Sequence, residues 1–310
     1  MKVLVTGGNG FVGRHLLKRL KDFNCQVFVT SRIGVAQKNI NKEDDVTYLE
    51  CDYQLLDELT LVFNKVSPTI IINLASGKDR SSLSNAVPQN MLEELSVGMN
   101  IIYAAQSLSS LSCFIHIGTS DQYDLGSKGV VRPTEYNAQN SYGFVKATLS
   151  LMLDSLFRAS DFPYIQIVPS IVYGPDQGDE MFLPALINGL LRNETINTTS
   201  GEQKRDFIYI DDFVNAIISV INNLNNCKLG QTYFACYGST IKLSELIDIV
   251  VKLMDRDPNL IRKGARPYRM GEKMDYFSDS KLLSLDTGWK PLVDIETGIN
   301  IILETVSDKI

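Results

Sequence analysis

The opening stretch, from Lys2-Val3-Leu4-Val5-Thr6 through Gly7-Gly8-Asn9-Gly10 to Phe11-Val12-Gly13, joins an apolar run to an amphipathic one through a turn with glycines at 7, 10 and 13. Lys2 to Thr6 reads as a buried strand and Phe11 to Leu20 as a helix. A tight strand-to-helix turn needs a residue without Cβ. A second glycine lets backbone N–H groups approach a pyrophosphate, and a third lets helix and strand pack closely. Gly7, Gly10, Phe11, Val12 and Gly13 are therefore candidate dinucleotide contacts, with an ordinary glycine-rich turn as the plainer alternative.

The same alternation continues through the first 170 residues, as expected for βαβ units around a parallel sheet. Strand candidates are Val27 to Thr30, Val46 to Leu49, Thr69 to Asn73, Cys113 to Ile117 and Tyr164 to Pro169. Helices are expected near Leu55 to Val66, Asn90 to Leu108 and Tyr142 to Ala159. After Pro169 the rhythm breaks into proline, glycine and polar clusters, followed by helices from Asp212 to Asn223 and Leu243 to Met254. This pattern predicts a dinucleotide-binding domain over 1–170 with about 206–237, and a smaller lobe over about 171–205 and 238–310.

Composition narrows the partners. Thirty basic against thirty-six acidic side chains give a net charge of -6 with no basic run, which argues against nucleic acid. Neither a secretory signal nor an apolar stretch of membrane-spanning length stands out, so a cytoplasmic protein with no membrane partner is expected. The five cysteines lack any C-x-x-C spacing and only His15 and His116 are present, so neither a metal site nor a disulfide framework is expected.

At the end of the second strand a dinucleotide fold usually carries an acid for the adenosine ribose, but this chain reads Thr30-Ser31-Arg32. A hydroxyl followed by a guanidinium suits a 2′-phosphate, which favours NADP(H) and leaves NAD(H) possible; Arg32 as a solvated loop residue is the competing view. Asp52 and Tyr53 are candidate coenzyme contacts; Asp52 is placed to reach an adenine edge or simply to cap its strand.

Tyr142 and Lys146 stand four apart in a predicted helix, so both project from one face. An ammonium beside a phenol favours the phenolate, lowering a pKa of about 10 toward neutrality. The pair follows a strand ending Ile117-Gly118-Thr119-Ser120-Asp121, where Thr119 can hydrogen-bond a substrate oxygen. Hydroxyl, phenol and ammonium beside a nicotinamide are the parts hydride transfer at a carbinol carbon requires.

These residues resemble the extended short-chain dehydrogenase/reductase family that modifies nucleotide sugars. The resemblance rests on TGGNGFVG from Thr6, the Thr119, Tyr142 and Lys146 set, VYGP at Val172 to Pro175, GEQKRDFIYIDD from Gly201 to Asp212, and GWKP at Gly288 to Pro291. It implies an α/β fold, a Rossmann-type doubly wound parallel sheet with a smaller C-terminal α/β substrate lobe. It also implies Tyr142 as acid/base, Lys146 as its pKa modulator and coenzyme ribose contact, and Leu74, Ala75 and Ser76 near the nicotinamide ribose. Arg205 and Arg269 match arginines that hold the substrate diphosphate, with surface ion pairing as the alternative.

The family runs 4-epimerisation, 4,6-dehydration and reduction of 4-keto-6-deoxy sugars on one hydride step. Dehydratases place acids after the hydroxyl residue. Here Thr119-Ser120-Asp121 resembles that arrangement with a shorter acid, and it equally resembles 4-keto-6-deoxy sugar reductases. Asp121 as a carboxylate that merely orders its loop is the third possibility. Ile171, where many dehydratases and epimerases carry asparagine, cannot donate a hydrogen bond. The stretch from Ala265 to Glu272 resembles O-antigen sugar reductases and synthases, which points to deoxysugar and lipopolysaccharide O-antigen biosynthesis. A reductase, with Ser120 and Asp121 completing the catalytic loop and Thr119 and Ser120 touching substrate, is the first expectation. A dehydratase or epimerase with internal hydride return comes second, and a non-catalytic dinucleotide sensor third.

Apolar residues on more than one face of the predicted helices Met91 to Leu108 and Tyr142 to Phe157 leave a spare face. Family likeness implies a homodimer through a four-helix bundle; burial within one subunit is the alternative.

Overall fold

The computed structural model describes residues 1–31, 46–77, 89–123, 136–138, 140–269, 272–275 and 277–307. Strands and helices alternate from the N-terminus: β1 (Lys2–Thr6), α1 (Phe11–Leu20), β2 (Gln26–Ser31), β3 (Val46–Glu50), α2 (Leu56–Val66), β4 (Ile70–Asn73), α3 (Gln89–Gln106), β5 (Cys113–Ile117), α4 (Ser141–Ser160) and β6 (Tyr164–Pro169). Shorter elements follow: β7 (Ile171–Tyr173), α5 (Phe182–Leu191), β8 (Ile196–Asn197), β9 (Lys204–Arg205), β10 (Phe207–Tyr209), α6 (Ile210–Asn222), β11 (Gln231–Ala235), β12 (Ile241–Lys242), α7 (Leu243–Leu253), β13 (Ile261–Arg262), α8 (Lys281–Thr287) and α9 (Ile295–Ser307).

A parallel seven-stranded sheet runs in the order β11-β6-β5-β4-β1-β2-β3. Val3, Leu4 and Val5 on β1 and Ile71 and Ile72 on β4 are fully buried, because helices cover both faces of a parallel sheet and leave no polar side. The strand order reverses between β1 and β4, where carboxyl ends of strands diverge and a ligand crevice forms. This is the α/β, Rossmann-type sheet expected from the sequence.

On α2 the buried residues Leu59, Phe63 and Val66 recur at helical spacing, and Ser67 at φ 49° with Pro68 behind it stops the helix. Leu59 and Phe63, together with Leu4, Ile71, Ile101, Ile102, Phe114, Leu149 and Leu153, form one apolar core. Asn140 caps α4 by accepting from Gly143 N at 2.7 Å, and Asp161 in the left-handed region ends it.

The chain divides into two compact units. Among the described residues, one holds the chain up to Val168 with Ile217–Tyr233, and the other holds Pro169–Ala216 and the chain from Phe234 onward. In the second unit, Leu183, Leu186 and Ile187 of α5 and Leu246, Ile247 and Val250 of α7 are buried. The GWKP turn is anchored by Asp212, whose carboxylate accepts from Leu292 N and Val293 N at 2.9 and 2.8 Å while its carbonyl accepts from Trp289 Nε1 at 3.1 Å.

Strands β7 to β13 and helices α5, α8 and α9 go beyond the expected set. Helix α5 contains Pro184 and Gly189, which read as breakers. Pro184, however, lies in the first turn, where no N–H partner is needed, and a Cβ on Gly189 would stand 2.8 Å from Ile196 Cδ1.

Candidate active site

The glycine turn has the shape its spacing calls for. Gly7 sits at φ +71°, and a Cβ there would stand 2.7 Å from Ala75 N. A Cβ on Gly13 would lie 2.3 Å from Gly8 O, so helix α1 and the loop touch backbone to backbone. Gly10 is the N-cap of α1 and carries no side chain to occupy the first N–H groups, and the first turn holds no acid. Those N–H groups and the helix dipole are therefore free to receive an anion. Asn9 Nδ2 in this loop and Ser31 Oγ at the end of β2 are buried with no hydrogen-bond partner among the described residues. Orphaned polar atoms at these two positions fit a dinucleotide laid from the loop toward β2.

Arg32 lies outside the described residues. Asp52 uses its carboxylate locally, accepting from Gln54 N at 2.9 Å, while its own N–H donates to Glu58 at 3.0 Å. Tyr53 is buried; its hydroxyl donates to Thr30 O at 2.6 Å and accepts from Gly7 N at 3.4 Å. It braces the glycine turn from below. Expected as a coenzyme contact, Tyr53 bears no mark of this bracing in the sequence, since its partner is a main-chain oxygen on another strand.

Past β4, Leu74 N donates to Thr6 O at 3.0 Å and Ala75 N to Asn73 Oδ1 at 3.2 Å, and Ser76 is exposed. Asn73 also accepts from Thr6 Oγ1 at 2.7 Å, which turns its amide nitrogen to His116 Nδ1 at 3.4 Å. The His116 proton is thereby placed on Nε2, and full burial holds the ring neutral by pushing its pKa well down.

At the end of β5 the chain enters a short 3-10 turn, Ser120–Gln122. Thr119 Oγ1 accepts from Asp121 N at 3.2 Å and Thr119 N donates to Gln122 Oε1 at 2.9 Å, a reciprocal cap. Asn140 Nδ2 stands 3.4 Å from the Asp121 carboxylate, and a Cβ on Gly143 would meet Asp121 O at 2.6 Å, so the turn and the start of α4 are in contact. Thr119 and Ser120 are buried, and Tyr142 is half-buried. Lys146, one helical turn beyond Tyr142, is fully buried and its Nζ donates to Ile117 O at 2.7 Å. Burial lowers its pKa to about 8, while the Glu94 carboxylate on α3 acts to raise it. That carboxylate lies so close over Gly77 that a Cβ there would overlap it. Glu94 was not singled out in the sequence, where nothing marks one acid on an amphipathic helix from another.

In the second unit Arg205 donates to Lys204 O and Lys273 O, each at 2.7 Å, and pairs with the Glu272 carboxylate. Arg269 is exposed. Arg205 thus holds a largely buried ion pair. Among the described residues no three His, Cys, Asp or Glu side chains gather where a metal could be held, and no helix is long and apolar enough to cross a membrane.

A glycine cradle at the strand switch point and a Tyr/Lys helix face over the end of β5 define a dinucleotide-dependent enzyme of the α/β class. The chain belongs to the NAD dependent epimerase/dehydratase family, whose profile matches residues 3–236. It is 27% identical over 309 residues to CDP-abequose synthase of Salmonella typhimurium strain LT2, covering 97% of each chain. It is also 27% identical over 342 residues to dTDP-glucose 4,6-dehydratase of the same strain, covering 98% of this chain and 92% of the relative. The crystal structure of dTDP-glucose 4,6-dehydratase from Bacillus anthracis strain Ames in complex with NAD superposes with TM-score 0.86 at 17% identity, over 99% of this chain and 97% of the other. That likeness establishes the shared fold.

Proposed function

We propose that the protein is a cytoplasmic reductase that transfers hydride to C4 of a 4-keto-6-deoxy nucleotide sugar, with NADP(H) favoured over NAD(H). The observation that carries this reading is the Thr119 hydroxyl. Its oxygen accepts from Asp121 N, which leaves its proton to donate to a ketone oxygen, and the turn that carries it touches the start of α4, the helix of Tyr142 and Lys146. A bound nicotinamide coenzyme supplies the hydride. Tyr142 hands its phenolic proton to the C4 oxygen as C4 gains the hydride, so the ketone becomes a secondary alcohol and the phenolate is reprotonated from water. Lys146 stabilises that phenolate by its charge. Gly7, Gly10, Phe11, Val12 and Gly13 would hold the pyrophosphate, Ser31 and Arg32 the adenosine ribose or its 2′-phosphate, and Leu74, Ala75 and Ser76 the nicotinamide ribose. Arg205 and Arg269 would hold the substrate diphosphate.

The Asp121 carboxylate supports reduction over elimination, because it is engaged by Asn140 at the α4 cap. Likeness to a 4,6-dehydratase at the same identity as to a synthase favours the second reading, dehydration or epimerisation with internal return of the hydride. A silent sensor is disfavoured because the Tyr142/Lys146 pair and its strand-end hydroxyl are all present.

The purified protein is tested with NADPH or NADH and a panel of 4-keto-6-deoxy nucleotide sugars. Reduction predicts loss of nicotinamide absorbance stoichiometric with product. Turnover of unmodified nucleotide hexoses with no net coenzyme consumption sinks it. Assembly is part of the same reading: Leu92 and Tyr103 on α3 and Phe144 and Leu151 on α4 are exposed apolar residues, and they support a homodimer that buries these two helices against their copies.

A further inference from the structure

Tyr142, Lys146 and Ser150 stand at successive fourth positions of α4 and therefore share one face. Two of them belong to the reaction proposed above. The third, Ser150, is buried and lies at the centre of a polar chain that the reaction does not use.

Gln122 Nε2 donates to Ser150 Oγ at 3.0 Å. The single Ser150 proton faces Gln166 Oε1 at 2.5 Å and Lys146 O at 2.8 Å. Gln166 Nε2 donates to Tyr123 OH at 2.7 Å, and the Tyr123 ring stacks on Tyr136 with centroids 5.2 Å apart. At its other end Gln122 Oε1 accepts from Thr119 N. Gln122, Ser150 and Gln166 are each at most 2% exposed. The chain also explains Gly118, where a Cβ would lie 2.9 Å from Gln122 Oε1 and 3.3 Å from Gln166 Cδ.

Burying two primary amides and a hydroxyl is costly unless every member is satisfied, and an apolar side chain would fill the Gln122 position without that cost. What the amides do that apolar groups cannot is fix direction. The Gln122 side chain spans from the main chain of Thr119 to the face of α4 one turn past Lys146. The hydroxyl-bearing turn and the phenol-bearing helix are thus tied at a set spacing.

We propose that Gln122 and Ser150 are positioning residues, a buried tie that sets Thr119 in register with Tyr142 for the hydride step. This inference rests on the reading of Thr119 and Tyr142 as reaction partners. A hydroxyl moved by about 1 Å relative to the acid/base loses rate by about a hundredfold, so the tie acts on turnover rather than on coenzyme affinity.

The first test needs no substrate. In the full-length protein the Thr119 amide, bonded to Gln122 Oε1, should exchange its hydrogen slowly, and Gln122→Met and Ser150→Ala should each speed that exchange by about tenfold or more. Wild-type exchange at Thr119 in both variants overturns the tie whatever the enzyme acts on. The second test is a double-mutant cycle on whichever nucleotide sugar the wild type turns over, whether by reduction or by internal hydride return. Each variant, measured per mole of folded protein, should lose about tenfold to a hundredfold in kcat with the coenzyme KM within about twofold. The double variant should be no worse than the poorer single one, and Ser150→Thr, which keeps the hydroxyl, should recover most of the rate. A lowered melting temperature with unchanged kcat overturns the positioning role and leaves only a structural one, and independent, multiplicative losses overturn the tie. A wild type that turns over no nucleotide sugar fails the functional reading, and the exchange measurement still decides the tie.

Discussion

Lys146 Nζ donates to Ile117 O at 2.7 Å, which pins the middle of α4 to the end of β5. The lysine is held there by the fold, fully buried, before any coenzyme arrives. Its pKa falls from the ordinary 10.5 to about 8, first because burial disfavours the charge. A base with a depressed pKa binds fewer protons folded than unfolded between about pH 8 and 10.5, so its contribution makes stability rise with pH across that window. Below pH 8 it carries the full penalty, about 3 kcal/mol. Lys146→Met removes that penalty and orphans one carbonyl at a cost of about 1–2 kcal/mol. A net gain of about 1–2 kcal/mol at pH 7 with loss of turnover is expected, read from urea midpoints and coenzyme oxidation.

In the proposed reaction the same lysine would set the alkaline limb of activity. The kcat/KM for coenzyme should fall as pH rises through about 8, when the ammonium beside Tyr142 is lost. Because the Glu94 carboxylate opposes the effect of burial, Glu94→Gln should move that limb about one unit lower and leave activity at pH 6 within about threefold of wild type. An unmoved limb would show that the Glu94 charge does not reach the lysine.

Gly7→Ala tests the cradle. The new Cβ would stand 2.7 Å from Ala75 N at a backbone angle that disfavours side chains. Coenzyme affinity should drop by at least about tenfold, with about 1–3 kcal/mol of lost stability, measured by fluorescence titration and thermal melting.

Much of the first unit was legible because its signals are local. The strand from Lys2 to Thr6, the glycine spacing behind it and the fourfold step from Tyr142 to Lys146 each follow from backbone geometry over a few residues. Glu94, Tyr53 and the Gln122–Ser150–Gln166 chain were not legible. Each depends on a partner more than fifteen residues away. Their polarity is ordinary in a sequence and becomes informative only when the fold buries it. Nor was Glu272 legible as the ion-pair partner of Arg205, since the two lie 67 residues apart.

The exposed apolar residues of α3 and α4 predict the assembly. Leu151→Glu places a charge on the face that would pack against a second copy, and should convert a dimer to a monomer in sedimentation velocity at micromolar concentration with the fold intact by circular dichroism. A wild type that sediments only as monomer removes the dimer.

The most direct measurement follows the hydride itself. NADPH carrying deuterium at the transferable nicotinamide position is incubated with the protein and a 4-keto-6-deoxy nucleotide sugar, and the product is read by NMR. The account predicts one deuterium at C4 for each coenzyme oxidised, and none with Tyr142→Phe. Product that forms without label at C4, or equal labelling in the Tyr142→Phe variant, would contradict it.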